Sequence, residues 1–357
     1  MTAENLHAAR IGVVVTSISA PNRVLKAIAD GCSSRRYPFW VIGDAGSPPD
    51  FILDGCRFLD IENQLKTGFE FAARCPINHY ARKNIGYLSA IAEGVEILIE
   101  TDDDNYPAAE FWLPRSIGHR CATLRDKGWV NIYKYFTDSQ IWPRGFPLDC
   151  ARDTPPPMEA LPQSESLCPI QQGLTDGNPD VDAIYRLLFP LPVSFQRAPA
   201  VAVSRGTWCP FNSQNTTWFS QAFPLLYLPA YCPFRTTDIW RSLIALRICW
   251  ENGWSVLFHS SNGVQDRNDH NLMKDFADEV PVYLNARRVV QTLESLSLQP
   301  GQEAIPANLL RCYESLVGIG IFHQEEIRLL ESWLADVRKL RARDCAVAAS
   351  EAGAARH

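Results

Sequence analysis

The sequence has 357 residues, of which 46% are hydrophobic and 21% are charged, enough for one large α/β domain with a smaller one appended. The formal net charge of -6 argues against nucleic acid as a partner, because proteins that bind phosphate backbones carry a basic face. Eleven cysteines without a CxxC pair, a polar segment over 1–10 and no apolar stretch near ~18 residues predict a cytoplasmic protein with reduced thiols and no transmembrane segment.

The first part of the chain has the pattern of a β-α-β fold. Residues 11–16 are a continuous apolar run that ends in polar residues, which is typical of a central parallel strand covered on both faces. Ligands of open α/β sheets bind at the carboxyl ends of strands, so we expect Thr16, Asp44 and the aspartates at 102–104 to converge on one crevice. The predicted elements are a strand over 11–16, a helix over 22–30, a strand over 39–42, a helix over 85–93 and a buried strand over 95–99.

The second part of the chain is predicted to cover and extend this sheet. From residue 144 to about 199 the sequence is rich in proline, glycine and polar residues, which predicts a loop over the active site. A helix is predicted over 238–251, a strand over 255–258 and a helical pattern beyond 286. The predicted divisions are a domain over 10–285, a helical subdomain over 286–345 and a tail over 346–357.

Asp102, Asp103 and Asp104 are candidates for a metal site. Three adjacent carboxylates repel one another, and a divalent cation would remove that repulsion. Mg²⁺ and Mn²⁺ take oxygen ligands, usually one or two carboxylates together with substrate phosphates and waters. Alternation along extended chain puts Asp102 and Asp104 on one side and leaves Asp103 for a ribose or a basic neighbour. The same residues could instead form an acidic turn that caps a helix.

Other charged and titratable residues have two interpretations each. Arg82 and Lys83 begin a predicted helix, where they could bind a diphosphate or be solvated. Arg144 could clamp a phosphate or carboxylate, or form a structural ion pair. Asp238 lies at a predicted N-cap, where it caps the helix or acts as a general base for an acceptor hydroxyl. His259 could bring its imidazole to the metal, or be structural.

Several motifs follow one another in an order that resembles a known family. They are Thr16-Ser17, Gly43-Asp44, Asn84-Ile85-Gly86-Tyr87, Glu100-Thr101-Asp102-Asp103-Asp104, Trp142-Pro143-Arg144-Gly145-Phe146-Pro147, Gly206-Thr207-Trp208-Cys209-Pro210-Phe211-Asn212-Ser213-Gln214-Asn215 and Asp238-Ile239-Trp240-Arg241. This series resembles the STELLO family of glycosyltransferase-like proteins. It is more distantly similar to the reversibly glycosylated polypeptides, which are plant UDP-arabinopyranose mutases. The resemblance covers roughly residues 10–285.

The resemblance implies a GT-A, Rossmann-like fold and a nucleotide-sugar ligand, most often a UDP-sugar. Asp44 matches the base-recognition aspartate of the family, and Arg144 matches an arginine that is associated with self-glycosylation in the mutases, in a segment where Phe146 replaces a tyrosine. The complete predicted site consists of Thr16, Ser17, Asp44, Lys83, Asn84, Tyr87 and Asp103 for the nucleotide-sugar, the DXD aspartates Asp102 and Asp104 with His259 for Mn²⁺ or Mg²⁺, and Asp238 and Arg144 for catalysis.

The function implied by the resemblance is metal-dependent, inverting transfer of a hexose or pentose to a hydroxyl acceptor such as a glycan. Negative charge builds on the leaving diphosphate during such a transfer, so a metal ion and cations must stabilise it while a carboxylate deprotonates the acceptor. A nucleotide-sugar mutase and a non-catalytic sugar-nucleotide-binding scaffold are the alternatives. Plant members of the family carry a membrane anchor that we do not find in this sequence, so we expect the cytoplasm rather than the Golgi, and leave peripheral membrane contact open.

Overall fold

The computed structural model of the chain describes residues 9–266 and 271–354 and has a mixed α/β structure, as predicted. The strands are β1 (Ile11–Thr16), β2 (Phe39–Ile42), β3 (Arg57–Leu59), β4 (Ile97–Thr101), β5 (Asn105–Pro107), β6 (Gly118–Leu124), β7 (Gly128–Trp129), β8 (Gln163–Asp176), β9 (Val201–Val203), β10 (Thr207–Trp208), β11 (Asn215–Phe219) and β12 (Trp254–Gln265). The helices are α1 (Arg23–Arg35), α2 (Ile61–Lys66), α3 (Glu70–Arg74), α4 (Lys83–Ala92), α5 (Ala183–Leu188), α6 (Thr237–Glu251), α7 (Leu272–Ser295), α8 (Ile305–Gly318) and α9 (Glu325–Ala354).

The described residues contain one large sheet with the strand order β3-β2-β1-β4-β11-β8-β6-β9-β12-β5. Its first four strands run parallel, and β11 pairs antiparallel with β4. The carboxyl ends of β1, β2 and β4 therefore lie side by side at one edge of the parallel part. This is the edge at which the predicted crevice should form.

Both faces of the parallel part are covered by apolar side chains. Val13 of β1 belongs to the same apolar cluster as Leu25 of α1, whereas Val14 belongs to the cluster that contains Ile85 of α4. Consecutive residues of a strand point to opposite faces, so each face of β1 meets a helix. This arrangement explains why the run over 11–16 is apolar throughout.

Gly86 lets α4 lie unusually close to the sheet. A Cβ atom at this position would be 2.6 Å from Cγ1 of Val14 and 2.7 Å from Cγ1 of Ile42. Any larger side chain would therefore push α4 away from β1 and β2. Because Lys83 starts the same helix, this close approach also sets the depth of Lys83 below the sheet edge.

The predicted loop over 144–199 is wrong in its central part. Strand β8 runs through the middle of the sheet, where it pairs with β6, β11 and β12. Its buried positions include polar residues that satisfy neighbouring backbone groups. The side chain of Gln172 donates to the carbonyl of Asn215 at 2.9 Å and accepts from the N–H of Asn212 at 2.8 Å. These polar positions remove the apolar pattern by which a strand is recognised in sequence.

The helices at the end of the chain pack onto the same core as the sheet. Val289 of α7, Leu309 of α8 and Trp333 of α9 share one apolar cluster with Trp240 of α6. Helix α7 already begins at Leu272, and α9 extends to Ala354, so helix covers much of the segment predicted as a tail. Across the described ranges, no helix combines the length and apolar character needed to cross a membrane.

Candidate active site

A cavity of about 580 Å³ opens at the carboxyl ends of β1, β2 and β4. It brings together residues from distant parts of the chain, as expected for the crevice of an open α/β sheet. The residues of the predicted site that line it are Thr16, Ser17, Asp44, Asp102, Asp103, Asp104, Arg144 and Asp238.

Asp102 is anchored from below the cavity. Its Oδ1 accepts a hydrogen bond from Nζ of Lys83 at 2.9 Å and one from the hydroxyl of Tyr80 at 2.8 Å. The side chain remains 28% exposed. Oδ1 is thus fixed by the protein, while Oδ2 accepts no hydrogen bond from the residues that the structure describes.

Asp103 and Asp104 complete the loop between β4 and β5. Oδ2 of Asp103 accepts from the hydroxyl of Ser17 at 2.5 Å, and Oδ2 of Asp104 accepts from Nε2 of Gln265 at 3.0 Å. Burial raises the pKa of Asp103, against the opposing effect of the Ser17 hydrogen bond. The loop leads directly into β5, so the alternative in which the aspartates cap a helix does not describe it.

Lys83 lies behind Asp102 and does not line the cavity. Its fully buried ammonium contacts Asp102, the carbonyl of Thr101 at 2.8 Å, the hydroxyl of Tyr80 at 2.8 Å and the carbonyl of Ser213 at 3.3 Å. A buried charge requires such partners. The structure therefore gives Lys83 the task of holding the acidic loop, and does not place it where the predicted contact with a diphosphate could form.

Asn84 and Tyr87 also lie beneath the cavity, so the structure does not bring these two predicted ligands to its surface. The side-chain amide of Asn84 donates to the carbonyl of Leu228 at 2.8 Å and accepts from its N–H at 2.9 Å. The hydroxyl of Tyr87 donates to Glu100. A buried side chain whose polar atoms are already paired is unavailable to a ligand.

Glu100 is the centre of a buried polar cluster under the acidic loop. Its carboxylate pairs with the guanidinium of Arg241 at 2.7 and 3.0 Å and accepts from Nε1 of Trp218 at 2.8 Å. These contacts join β4 to β11 and α6. The motif residues Tyr87, Glu100 and Arg241 therefore support the floor of the cavity.

Asp44 joins the end of β2 to the segment before α4. Its Oδ1 accepts from the N–H groups of Asn78 at 2.7 Å and Ala45 at 2.8 Å, and its Oδ2 accepts from the N–H of His79 at 2.8 Å. Asp44, Asn78 and His79 all line the cavity. The carboxylate thus shapes the wall at the position for which sequence predicts recognition of a base.

Arg144 lies between two buried aspartates in the opposite wall. Its Nε and Nη2 donate to Asp180 at 2.8 and 3.0 Å, and its Nη1 and Nη2 donate to Asp238 at 3.0 and 2.9 Å. The neighbouring Gly145 has a φ of 85°, and a Cβ there would lie 2.4 Å from Ile239. Glycine is therefore required for this loop to pack against α6. The arrangement is that of the ion pair considered for Arg144 from sequence.

Asp238 is not the N-cap of its helix, so that prediction is wrong. The N-cap of α6 is Thr236, and Asp238 lies in the first turn. Its Oδ2 accepts from the N–H and the hydroxyl of Ser213, both at 3.1 Å. Burial acts to raise the pKa of Asp238, but the charge and hydrogen bonds of Arg144 outweigh burial and hold that pKa below its ordinary value. Asp238 is therefore an ionised carboxylate in the cavity wall.

His259 does not line the cavity with the aspartates. Its Nδ1 lies 3.0 Å from the carbonyl of Ser260. Burial of the ring and the nearby charge of Arg115 lower the pKa of His259 to about 4. Among the described residues no three His, Cys, Asp or Glu side chains are grouped around a common metal position, so the predicted set of Asp102, Asp104 and His259 is not assembled.

Comparisons with known proteins agree with the resemblance seen in the motifs. The family model described as "STELLO glycosyltransferases" matches residues 235–351. This chain is 25% identical over 345 residues to the protein named "Probable glycosyltransferase STELLO1" from Arabidopsis thaliana. It is also 25% identical over 344 residues to "Probable glycosyltransferase STELLO2" from the same organism. The chain is similar to STELLO glycosyltransferases. The predicted resemblance is confirmed, and it extends over 91% of this chain.

The STELLO relatives are longer proteins than this chain. The alignments cover 44% of each relative, so the chain spans less than half of their length. The matched region nevertheless includes most of the chain and therefore contains most of the elements that build the cavity.

Tyr80, Ser213 and Phe234 line the cavity without a role predicted from the sequence. Tyr80 lies in a short 3-10 helix before α4, where sequence spacing gives no signal. Ser213 lies in a motif without a charged residue. Phe234 lines the cavity with 51% of its surface exposed, and its ring is edge-on to the ring of Tyr80 at 5.6 Å.

The acidic loop of this STELLO-like chain has the chemistry of a site for Mg²⁺ or Mn²⁺. Asp102, Asp103 and Asp104 line the cavity with oxygen donors, which these hard cations prefer. Such ions are commonly held by one or two carboxylates with substrate phosphates, so a third protein ligand is not needed. Asp102 and Asp104 bring the donor type that such ions prefer to the same cavity, whereas His259 lies outside it.

Proposed function

We propose that this chain is a GT-A-type glycosyltransferase that transfers a sugar from a UDP-sugar to a hydroxyl acceptor with inversion. The observation that carries the proposal is one cavity lined both by the acidic loop after β4 and by the buried carboxylate of Asp238. The similarity of the chain to proteins named glycosyltransferases supports the same reaction class. The parallel order β3-β2-β1-β4, followed by antiparallel β11, fits a nucleotide-binding sheet with its ligand at the strand ends.

The donor is proposed to occupy the part of the cavity at the carboxyl ends of β1, β2 and β4. Thr16, Ser17 and Asp44 line the wall at which a nucleoside would lie, and Asp103 of the same cavity would contact the ribose. Asp102 and Asp104 would hold Mn²⁺ or Mg²⁺ together with the diphosphate. When bound, that ion would stabilise the negative charge that develops on the leaving diphosphate.

The acceptor is proposed to bind beside Asp238. Asp238 is ionised at neutral pH, as a proton acceptor must be, but its lowered pKa makes it a weaker base than an ordinary aspartate. Its Oδ2 accepts from Ser213 and Arg144, whereas among the described residues Oδ1 accepts from Arg144 alone. A carboxylate oxygen can accept more than one hydrogen bond, so Oδ1 could also accept one from an acceptor hydroxyl.

Asp238 is proposed to take the proton of that hydroxyl during transfer. The acceptor oxygen then forms a bond to the anomeric carbon of the sugar. The bond from this carbon to the diphosphate oxygen breaks, and its electron pair leaves with UDP. Arg144 keeps the Asp238 carboxylate in place throughout.

A panel of UDP-sugars tests this function. Purified protein is incubated with Mn²⁺ and each sugar nucleotide, with and without simple glycosides as acceptors, and released UDP and isomerised sugar are both measured. We expect release of UDP that an acceptor accelerates. Isomerised sugar without UDP would favour a mutase instead, and binding without any turnover would favour a scaffold. The Asp238→Asn variant, prepared in the same way, controls for contaminating activity.

A further inference from the structure

We propose that Tyr80 and Ser213 are positioning residues whose hydrogen-bonded chain fixes the carboxylate of Asp238 relative to Asp102. The chain would hold the donor and acceptor parts of the site together as one unit. This inference rests on the proposed function, because it assigns the two ends of the chain to a donor side and an acceptor side.

The chain consists of three consecutive contacts between oxygen atoms. Oδ1 of Asp102 is 2.8 Å from the hydroxyl of Tyr80. That hydroxyl is 2.7 Å from Oγ of Ser213. Oγ of Ser213 is in turn 3.1 Å from Oδ2 of Asp238. All three distances lie in or near the range of hydrogen bonds between oxygen atoms. An unbroken path therefore runs from the acidic loop to the proposed base.

The number of available protons makes the chain a cooperative unit. Two ionised carboxylates contribute no protons, so three contacts share only the hydroxyl protons of Tyr80 and Ser213. One of the three contacts therefore has no proton, and if both hydroxyls pointed outward it would be the shortest one, with two oxygen lone pairs facing each other across 2.7 Å. If both hydroxyls point towards Asp102, the contact without a proton is instead the longest, between Oγ of Ser213 and Oδ2 of Asp238 at 3.1 Å, and the N–H of Ser213 still donates to that oxygen.

Lys83 and the backbone of Ser213 fix the two ends of this chain. Nζ of Lys83 donates to both Tyr80 and Asp102, at 2.8 and 2.9 Å, which holds the first contact in place. At the other end, the N–H of Ser213 donates to the same oxygen of Asp238 that its hydroxyl approaches. The middle contact between Tyr80 and Ser213 is thus the link that connects two separately anchored ends.

The orientation of Asp238 matters because Oδ1 is the oxygen that would accept a hydrogen bond from the acceptor hydroxyl. Arg144 binds both oxygens of this carboxylate and Ser213 adds a second anchor on Oδ2, so together they set its rotation and therefore the direction in which Oδ1 faces. Small displacements of a reacting group can lower a rate about a hundredfold. Loss of the chain would therefore lower kcat more than it weakens binding of the donor.

The test compares Tyr80→Phe, Ser213→Ala and the double variant with the wild-type protein. Using the UDP-sugar that the wild type turns over, we expect each single change to lower kcat about tenfold. We expect the double variant to be about as slow as either single variant, because each change breaks the same chain. Calorimetry with UDP and Mn²⁺ should give dissociation constants within about twofold of the wild type for Ser213→Ala. A double variant slowed by the product of the two single effects would overturn the proposal.

Two further variants separate positioning from general damage. Ser213→Thr keeps a hydroxyl and should retain most of the wild-type kcat, and failure of this rescue would count against the chain. Tyr135→Phe removes a hydroxyl that donates to the carbonyl of Pro156 at 2.8 Å, outside the cavity lining. This control should leave kcat unchanged. If it slows the enzyme as much as Tyr80→Phe, the effect is not specific to the chain.

A measurement without turnover distinguishes failure of this inference from failure of the proposed function. In urea unfolding at neutral pH, the double variant should shift the midpoint by about as much as the larger single variant, because the contacts are coupled. Tyr135→Phe combined with Ser213→Ala should instead show additive shifts. A protein without turnover that still shows the coupled shifts would disprove the proposed reaction but retain the chain. Additive shifts for Tyr80→Phe and Ser213→Ala would disprove the chain itself.

Discussion

Asp180 and Asp238 share one guanidinium, and this makes them a matched pair at the scale of single residues. Both are buried, both line the cavity, and each accepts two hydrogen bonds from Arg144. They differ in their other contacts, because the N–H and the hydroxyl of Ser213 donate to Asp238. A general base and an ion-pair partner can therefore be distinguished by the same substitution at two positions.

Asp238→Asn should lower kcat by ~10² to 10⁴-fold, the usual contribution of a general base. Donor binding should stay within about twofold, because the change acts on the acceptor proton rather than on the nucleotide. The matched control, Asp180→Asn, also neutralises a partner of Arg144 and should lower kcat by less than about tenfold, because Asp180 takes no proton in the proposed step. Steady-state kinetics and calorimetry with UDP measure both.

The result would contradict our assignment if the two variants were reversed or equal. A slow Asp180→Asn variant beside an active Asp238→Asn variant would move the base to Asp180. Equal losses would mean that Arg144 needs both partners for folding. Thermal melting of each variant separates the last case, since only that case lowers the melting temperature in parallel with activity.

At the scale of elements, Gly86 determines how closely α4 can approach the sheet. Gly86→Ala should destabilise the protein by about 1 to 3 kcal/mol, because the new methyl group meets Val14 and Ile42 in a packed core. Alanine would otherwise favour a helix by about 1 kcal/mol. The control is Gly318→Ala in α8, where a Cβ meets nothing within 4 Å. That change should be neutral or slightly stabilising in urea unfolding. A neutral Gly86→Ala variant would mean that α4 can shift outward without cost.

Glu326 ties the first turn of α9 to the segment before α6. It accepts from the N–H groups of Ala230 at 3.0 Å and Tyr231 at 2.7 Å, and from the hydroxyl of Tyr227. Burial raises the pKa of Glu326 to about 7, although these three donors oppose the rise. The neighbouring Glu325 is exposed and provides a control on the same helix turn.

The raised pKa of Glu326 should make stability depend on pH. An unfolded glutamate has a pKa of about 4.3, so between that pH and about 7 the folded protein binds more protons than the unfolded chain. The free energy of unfolding should therefore fall as pH rises through this window, by about 4 kcal/mol at most. Glu326→Gln should reduce this slope, and Glu325→Gln should leave it unchanged. Urea titrations between pH 4 and 8 measure it, and an unchanged slope in Glu326→Gln would assign the dependence to other groups.

At the scale of the whole molecule, donor binding should require a divalent cation. A diphosphate placed beside Asp102 and Asp104 needs a positive charge between them, because like charges at close range repel. Calorimetry should show UDP binding that is at least about tenfold tighter with Mn²⁺ than with EDTA. Asp104→Asn should lose most of that difference, while the exposed Asp30→Asn should retain it. Equal affinity with EDTA and with Mn²⁺ would remove the proposed metal site.

The sequence predicts the parallel part of the fold well because its strands are buried on both faces. The strands over 11–16 and 39–42 have the bounds that were expected, and the acidic loop follows the next strand of the sheet. Strand β8 could not be recognised, since its buried polar side chains bond to neighbouring backbone groups and remove the apolar pattern. Tertiary pairing, rather than local sequence, makes this segment a strand.

The site could be predicted where residues end strands, and less well where they begin helices. Asp44 and Asp102 follow strands whose direction fixes which edge they reach. Lys83 and Asn84 begin a helix, and a helix start does not specify whether its side chains face the cavity or the core. Their partners, Asp102 and Leu228, come from distant parts of the chain. Arg144 was predicted as a site residue and does line the cavity. Its two ion pairs, with Asp180 and Asp238, depend on tertiary structure that the sequence does not specify.

The place of β11 in the sheet has a consequence for synthesis on the ribosome. Strand β4 pairs on one side with β1, which precedes it, and on the other with β11, in the register of Thr101 with Asn215 and Ile97 with Phe219. A nascent chain that ends before Asn215 therefore exposes one edge of β4, with its apolar residues, while the intervening segment is translated. Open strand edges pair readily with other chains. The period between translation of β4 and of β11 is thus when this protein has the greatest need of a chaperone, and slowing translation within that segment should increase aggregation of the nascent chain.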